Sequence, residues 1–321
     1  MQAYRAPIWL PGGNLQTIWP ALWSRRPAGA PPAYQRERWT TPDGDFIDVD
    51  LLPAQPGQPM LVLFHGLEGT SKSHYALSLA HDAQARGWGF AVPHFRGCSG
   101  ELNLAPRAYH SGDYEELHWI LLRLRARAGA PLLACGVSLG GNALLRWVQE
   151  CGDEAGKTVR AAASVSAPVD LAAAGQAIEQ GFNRVSYNRM FLGTMKPKAL
   201  RKLQQHPGLF DRERLVAART LYEFDNVFTA PLHGFKDTPD YWARCSAKPH
   251  LKRPRIPTLV LNATNDPFVP GSSLPRPADV GRFVTLWQPS HGGHVGFPGG
   301  TFPGHLMTLP QRVLPWLAEH L

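Results

Sequence analysis

Three residues spaced along the chain carry the side chains needed to activate a hydroxyl group as a nucleophile. Ser138 lies in the segment GVSLG at 136–140, which has the G-x-S-x-G pattern of a nucleophile elbow. Asp266 and His294 follow it in the chain. A serine needs a base to take its proton, and the base needs a carboxylate that fixes its tautomer. The order Ser, Asp, His therefore predicts a catalytic triad.

The sequence around Ser138 predicts the sharp turn that such a serine requires. The apolar run at 132–135 is too short for a helix and indicates a buried strand, whereas Leu144, Leu145 and Val148 recur at helical spacing. Small residues must flank the serine, and the glycines at 136, 140 and 141 meet that need. This turn would direct the N–H of Leu139 and the helix N-terminus toward an oxyanion.

Strands and helices alternate along the rest of the chain and predict an α/β fold. Helices are expected over 73–86, 113–127 and after Ser138, and strands at 36–40, 46–52, 60–64, 90–93, 132–135, 161–166, 257–262 and 283–287. The first two strands indicate an antiparallel hairpin at a sheet edge, and the others a mostly parallel sheet flanked by helices. The Gly-containing loop after 60–64 is expected to supply a second oxyanion N–H, from Leu67.

Several aspartates could serve as the acid of the triad. Asp113 is expected to cap the helix at 113–127, with Glu116 at the spacing of a capping box. Asp170 follows the strand after the elbow, where the acid could also lie. Asp266 is favoured over Asp170, because it precedes the histidine loop by one strand and one connection.

The segment HGGHVGF at 291–297 offers two histidines. His294 is favoured as the base, since two preceding glycines let the backbone bring its ring close to Ser138. The H-x-x-H spacing also suggests zinc, but the loop offers no third protein ligand, so a zinc site is disfavoured. His65 is expected to be a hydrogen-bonded loop histidine.

The chain divides into an arm, a core and an insertion. Residues 1–35, with several Trp, Pro and Gly, indicate an irregular arm that packs on the core, and 36–170 with 253–321 form that core. Residues 171–252 lack strand patterns and predict a helical lid. Their aromatic run at 222–235 includes Phe228 and Phe235, which would either line an apolar substrate pocket or pack the lid.

Composition limits the partners of the chain. The 321 residues carry a formal charge of +8, and no basic run is interleaved with aromatics, so a nucleic-acid partner is excluded. We interpret the charge as general surface charge, in preference to a weak affinity for anionic membrane surfaces. Four scattered cysteines, no apolar run of signal-peptide length and no apolar run of about 18 residues predict a cytoplasmic protein without a transmembrane segment.

Motifs along nearly the whole chain resemble the YheT-like branch of the α/β-hydrolases. They are PGGNLQTIWP at 11–20, HGLEG at 65–69, FRGCSG at 95–100, YHSGD at 109–113, GVSLGGN at 136–142, FDNVFTAPLHGF at 224–235, NATNDPF at 262–268 and HGGHVGF at 291–297. The resemblance implies an α/β-hydrolase fold with a helical lid and the triad Ser138, Asp266 and His294. It implies esterase activity more loosely, because substrates vary across this branch.

The residues and the resemblance together predict a serine hydrolase of short- to medium-chain carboxylic esters that needs no metal ion or organic cofactor. Two alternatives remain open from the sequence. An acyltransferase would deliver the same acyl group to an alcohol, and a non-catalytic protein with a lid would only bind its ligand.

Overall fold

One eight-stranded sheet organises the molecule. The structure is a computed structural model that describes residues 4–321, so residues 1–3 of the predicted arm lie outside the described residues. The strand order is β1-β2-β4-β3-β5-β6-β7-β8, and the strands are β1 Gln35–Thr40, β2 Phe46–Leu52, β3 Met60–Phe64, β4 Gly89–Pro93, β5 Leu132–Val137, β6 Val159–Val165, β7 Thr258–Leu261 and β8 Val284–Trp287. The β1–β2 hairpin forms the antiparallel edge, and the strands from β4 to β8 pair in parallel. The predicted α/β fold is confirmed.

Helices cover both faces of the sheet, which explains why its central strands are apolar throughout. Leu61 and Leu63 of β3 pack with the helices at His74–Ala85 and Pro310–Ala318 on one face, while Val62 and Phe64 pack with those at Tyr114–Ala128 and Leu139–Cys151 on the other. The helices of this part of the chain are α1 Gly13–Leu22, α2 His74–Ala85, α3 Tyr114–Ala128, α4 Leu139–Cys151, α5 Ala155–Thr158 and, near the end of the chain, α13 Pro310–Ala318.

Residues 166–257 connect β6 to β7 and contain helices but no strand. The helices are α6 Leu171–Ile178, α7 Gly181–Asn183, α8 Arg189–Gln205, α9 Arg212–Ala217, α10 Leu221–Phe224, α11 Ala230–Leu232 and α12 Thr238–Cys245. A π-helical turn at Arg184–Asn188 joins α7 to α8, and another at Asp225–Thr229 joins α10 to α11. Buried side chains such as Leu192, Leu215 and Phe224 pack with Phe268, so this helical segment has an apolar core of its own that reaches the sheet domain.

The N-terminal arm is less irregular than the sequence predicts, because residues 13–22 form α1. Pro20 lies inside this helix and is buried. A proline cannot donate a hydrogen bond to the carbonyl four residues before it, which here is that of Gln16. That carbonyl packs against Gly296, where a Cβ atom would collide with it. The contact of α1 with the loop at 292–297 therefore fixes the path of the arm.

The predicted capping box at the start of α3 is wrong. The helix does begin after Asp113, but the Asp113 carboxylate accepts a hydrogen bond from Arg107 Nη2 at 2.6 Å instead of capping the helix. Glu116 accepts from the buried Arg96 at 2.7 Å. Arg96 also bonds to Asp43 and Asp45 beside the β1–β2 turn, each at 2.8 Å. The buried Arg96 guanidinium group needs carboxylate partners and takes Glu116, while the partly exposed Arg107 pairs with Asp113, so neither acid caps the helix.

Candidate active site

Ser138 lies at a sharp turn between β5 and α4. Its backbone has φ 54° and ψ −121°, a conformation that non-glycine residues rarely adopt. Gly140 packs so closely against the carbonyl groups of Phe64 and His65 that a Cβ atom could not fit there, and a Cβ on Gly141 would lie 2.9 Å from Ser164 Oγ. The glycines of the elbow thus let α4 begin directly against the end of β3, with Ser138 held at its N-terminus.

The structure brings Ser138, His294 and Asp266 together. His294 Nε2 lies 2.9 Å from Ser138 Oγ, and His294 Nδ1 lies 2.8 Å from Asp266 Oδ2. A carboxylate can only accept hydrogen bonds, so Nδ1 carries the ring proton and Nε2 is left to accept from the serine hydroxyl. The Asp266 side chain is fully buried, and that of His294 is 10% exposed. This arrangement suits proton transfer from Ser138 to Nε2.

Asp266 is held in place by the backbone that follows it. Its Oδ1 accepts hydrogen bonds from the N–H groups of Phe268 at 2.8 Å and Val269 at 3.3 Å, which leaves Oδ2 for His294. Asp170, the other candidate acid, caps α6 by accepting from the N–H of Ala173 at 3.1 Å. Of the two aspartates, the structure therefore brings only Asp266 to the histidine.

The loop that carries His294 is fixed by two residues of α1 that the sequence analysis did not identify. Thr17 Oγ1 accepts from the N–H of His294 at 2.8 Å and donates to Gly13 O at 2.7 Å. Gln16 Oε1 accepts from the N–H of Gly292 and from Asn265 Nδ2, both at 2.9 Å. The motif PGGNLQTIWP was the available signal, but nothing in the sequence showed that it would contact the histidine loop.

Leu67 and Leu139 lie beside Ser138, as the oxyanion-hole prediction requires. Both residues line the same cavity as Ser138 and His294. Leu139 is the first residue of α4, and a side chain on Gly66 would lie 3.1 Å from Ser138 Cβ, so the loop after β3 passes close to the serine. The loop is anchored by Tyr75 Oη, which accepts from the Gly66 N–H at 2.9 Å.

A mainly apolar cavity of about 150 Å³ opens at Ser138. Its walls come from the loops of the sheet domain and from the helical segment at 171–252. Phe228 lines it, together with Leu171, Ile178, Phe191 and Phe224. The structure does not bring Phe235 to the cavity. Phe235 packs instead on Tyr241, with ring centroids 5.2 Å apart, and under the guanidinium group of Arg244. An aromatic run cannot reveal which of its rings faces a cavity, because tertiary packing decides it, and Phe235 lies in the loop that follows α11.

The remaining histidines near the site are accounted for by local contacts. His65 is fully buried, donates from Nδ1 to Gly66 O at 2.8 Å, and accepts at Nε2 from the Phe95 N–H at 3.0 Å. It is therefore a hydrogen-bonded loop histidine. Burial lowers the pKa of His65 to about 3. His291 is exposed and lies 2.9 Å from Ser290 Oγ. Within residues 4–321, no three His, Cys, Asp or Glu side chains are grouped so that they could hold a metal ion.

The chain belongs to the alpha/beta hydrolase fold family, whose model matches residues 59–301. YheT of Escherichia coli strain K12, a protein assigned as an esterase, is 43% identical over 96% of this chain and 91% of its own length. The resemblance to the YheT-like branch is thus confirmed. Phospholipase ABHD3 of Mus musculus is 31% identical over 94% of this chain and 75% of its own length. The solved structure of the Pyrococcus furiosus esterase Pf2001 has the same fold, with a TM-score of 0.56 and 14% identity over 92% of this chain and 97% of that one.

The hydrogen bonds of His65 make a prediction about pH and stability. Its imidazole stays neutral in the folded chain, whereas in the unfolded chain it binds a proton below about pH 6.5. The unfolded state therefore binds more protons, so stability falls as the pH falls. Between about pH 6.5 and pH 5, wild type should lose about 2 kcal/mol of unfolding free energy that His65→Asn does not lose. Urea unfolding at both pH values measures this difference. His291→Asn, at an exposed site, is the control, and equal pH dependence of wild type and His65→Asn would contradict the prediction.

Proposed function

We propose that the chain is a serine hydrolase that cleaves carboxylic esters through an acyl-enzyme. The observation that carries the proposal is the series of hydrogen bonds from Ser138 through His294 to Asp266, of 2.9 and 2.8 Å, at the mouth of an apolar cavity. Membership of the alpha/beta hydrolase family and relatives assigned as an esterase or named as a phospholipase support the same reaction class.

The roles of the residues follow from this geometry. Ser138 Oγ attacks the acyl carbon while its proton passes to His294 Nε2, and Asp266 stabilises the imidazolium that forms. The N–H groups of Leu67 and Leu139 hold the oxyanion. His294 then gives its proton to the alcohol oxygen as the C–O bond breaks, which leaves the acyl group on Ser138. A water molecule then attacks the acyl carbon while its proton passes to His294. The bond from the acyl carbon to Ser138 Oγ breaks as His294 returns the proton to Oγ, and the carboxylic acid leaves.

We further propose that the helical segment at 171–252 acts as a lid whose inner surface holds the acyl chain. Its residues Ile178, Phe191 and Phe228 form apolar wall in the cavity that opens at Ser138. An apolar cavity of about 150 Å³ in another protein holds one benzene molecule, which has six carbons. A cavity of similar size here fits an acyl chain of about four to six carbons and supports a preference for short- to medium-chain esters.

The first test of the proposal is removal of the nucleophile. Ser138→Ala should fold normally and lose at least about a thousandfold in kcat on nitrophenyl butyrate, because only binding and the oxyanion hole remain. The measurement is steady-state hydrolysis, with thermal unfolding as the check on folding. Undiminished turnover would exclude the serine mechanism, and product analysis with added ethanol distinguishes a hydrolase from an acyltransferase.

A matched pair of variants tests the acid. Asp266→Asn should lower kcat by about 10⁴-fold, because an amide beside Nδ1 favours the wrong tautomer of His294. In Asp170→Asn the amide oxygen can still cap α6, so its kcat should change by less than about twofold and its stability should stay close to that of wild type. A large loss of kcat in Asp170→Asn with a small one in Asp266→Asn would transfer the role to Asp170.

A second matched pair tests the acyl pocket. Each buried methylene contributes at most about 0.8 kcal/mol, so kcat/KM should rise several-fold from acetyl to butyryl or hexanoyl nitrophenyl esters. Phe228→Ala, which removes cavity wall, should weaken this rise. Phe235→Ala, outside the cavity, should leave it unchanged. A flat profile in wild type, or equal slopes in wild type and Phe228→Ala, would reject the pocket and leave the triad unaffected.

A further inference from the structure

Exposed apolar side chains are concentrated in three segments of the chain, namely residues 8–23, residues 182–190 and the loop at Phe302. Thirteen large hydrophobic side chains are exposed among the described residues, and eight of them lie in these segments. We call these eight the apolar face: Ile8, Leu15, Leu22, Trp23, Phe182, Val185, Met190 and Phe302. Single exposed apolar residues need no explanation, but a group of them with a polar rim marks an interaction site.

Helix α1 connects the three segments. On one side, the ring of Trp19 lies 5.0 Å from that of Trp23 and 5.5 Å from that of Phe302, between ring centroids. On the other side, Tyr187 Oη lies 3.2 Å from Asn14 Oδ1, and its ring contacts Phe182 at 6.0 Å. Leu15 and Leu22, seven positions apart in α1, lie on one face of the helix. Contacts of α1 thus link the exposed apolar residues of the arm to Phe302 on one hand and, through Tyr187, to Phe182 on the other.

The positive charge of the chain comes from the same segments. Residues 1–34 and 180–210 contain nine Lys or Arg and no Asp or Glu, whereas the rest of the chain contains 24 basic and 25 acidic residues. These two stretches therefore account for the whole net charge of +8. Five arginines here are exposed and have no carboxylate partner within residues 4–321: Arg5, Arg25, Arg26, Arg184 and Arg189. The excess of positive charge is therefore concentrated in these two stretches of the sequence.

Although the composition alone favoured general surface charge, this concentration of basic residues beside exposed apolar side chains favours the alternative, and we propose that the apolar face docks on the surface of a lipid bilayer that contains anionic phospholipids. Tryptophan and arginine are suited to the boundary between water and lipid, and basic residues around an apolar patch are attracted to an anionic leaflet. A second copy of the chain is a poorer partner, because a symmetric contact through this face would place like charges opposite each other. No helix within residues 4–321 is long and apolar enough to cross a bilayer, so the contact is with the membrane surface.

The apolar face lies next to the cavity. The Phe182 ring contacts Tyr187, Tyr187 contacts Phe268 at 4.4 Å, and Phe268 contacts the His294 ring at 4.3 Å. Phe191, which follows Met190, lines the cavity itself. A docked bilayer would therefore lie beside the helices that cover Ser138. In this position the bilayer would present lipid esters to Ser138. This last step rests on the proposed function, whereas the docking of the apolar face does not.

The test uses Ser138→Ala protein, so that binding is measured without turnover and independently of the proposed function. The protein should co-sediment with phosphatidylcholine vesicles that contain phosphatidylserine, and much less with phosphatidylcholine alone. Raising sodium chloride from about 0.1 M to about 0.5 M should weaken binding. Arg25→Gln with Arg26→Gln should raise Kd about 25-fold, since each basic residue near the surface contributes about a factor of five. Leu22→Ser with Trp23→Ser, and Phe182→Ser with Val185→Ser, should also weaken binding.

The matched control is Leu122→Ser with Arg125→Gln, two exposed residues of α3, and it should bind as Ser138→Ala does. In otherwise wild-type protein, the Arg25–Arg26, Leu22–Trp23 and Phe182–Val185 double substitutions should each leave hydrolysis of soluble nitrophenyl butyrate unchanged. Equal binding to neutral and anionic vesicles, an equal loss of binding in the control, or no binding at all would overturn the proposal. A different result would make the apolar face an interface between copies of the chain. In that case the protein does not bind vesicles, forms a dimer in sedimentation velocity, and becomes monomeric when Leu22→Ser and Trp23→Ser are introduced.

Discussion

The close contact between the nucleophile turn and the end of β3 is the constraint on which the rest of the site depends. Gly140 lies against the carbonyl groups of Phe64 and His65, so no side chain can be accommodated there. This contact joins the start of α4 to the loop that contains Leu67. If Leu67 and Leu139 supply the oxyanion donors, as we propose, this contact would help to hold the two N–H groups in place before a ligand binds, and preorganised donors stabilise developing charge without reorganisation.

Asp266 and His65, two buried polar side chains near this turn, have hydrogen-bond partners on both of their polar atoms. Asp266 uses one carboxylate oxygen for two backbone N–H groups and the other for His294, while His65 uses both ring nitrogens for backbone groups. Burying a polar group without a hydrogen-bond partner costs free energy, so each of these partners stabilises the folded state. The site thus contains two buried imidazoles that differ in their hydrogen-bond partners. His65 bonds to two backbone groups, whereas His294 lies between the side chains of Asp266 and Ser138.

Local patterns in the sequence were sufficient for the sheet, the turn at Ser138 and the positions of Asp266 and His294, because strand ends and glycine turns are set by neighbouring residues. Contacts between distant segments could not be predicted in this way. The α1 residues Gln16 and Thr17 act through their contacts with the histidine loop, and Asp113 pairs with Arg107 although its spacing suggested a cap. Phe235 does not line the cavity because it lies in the loop after α11 and packs on Tyr241, a tertiary contact that an aromatic run does not reveal.

The hydrogen bond from the His294 N–H to Thr17 joins residues 277 positions apart. Closing a loop of that length is entropically costly and slow, so contacts of this kind form late when a chain folds. His294, the proposed general base, should therefore reach its place only after the intervening sheet and helices have assembled. A partly folded chain would have its nucleophile turn but no aligned imidazole, so ester cleavage would report on completed folding more strictly than secondary-structure content does.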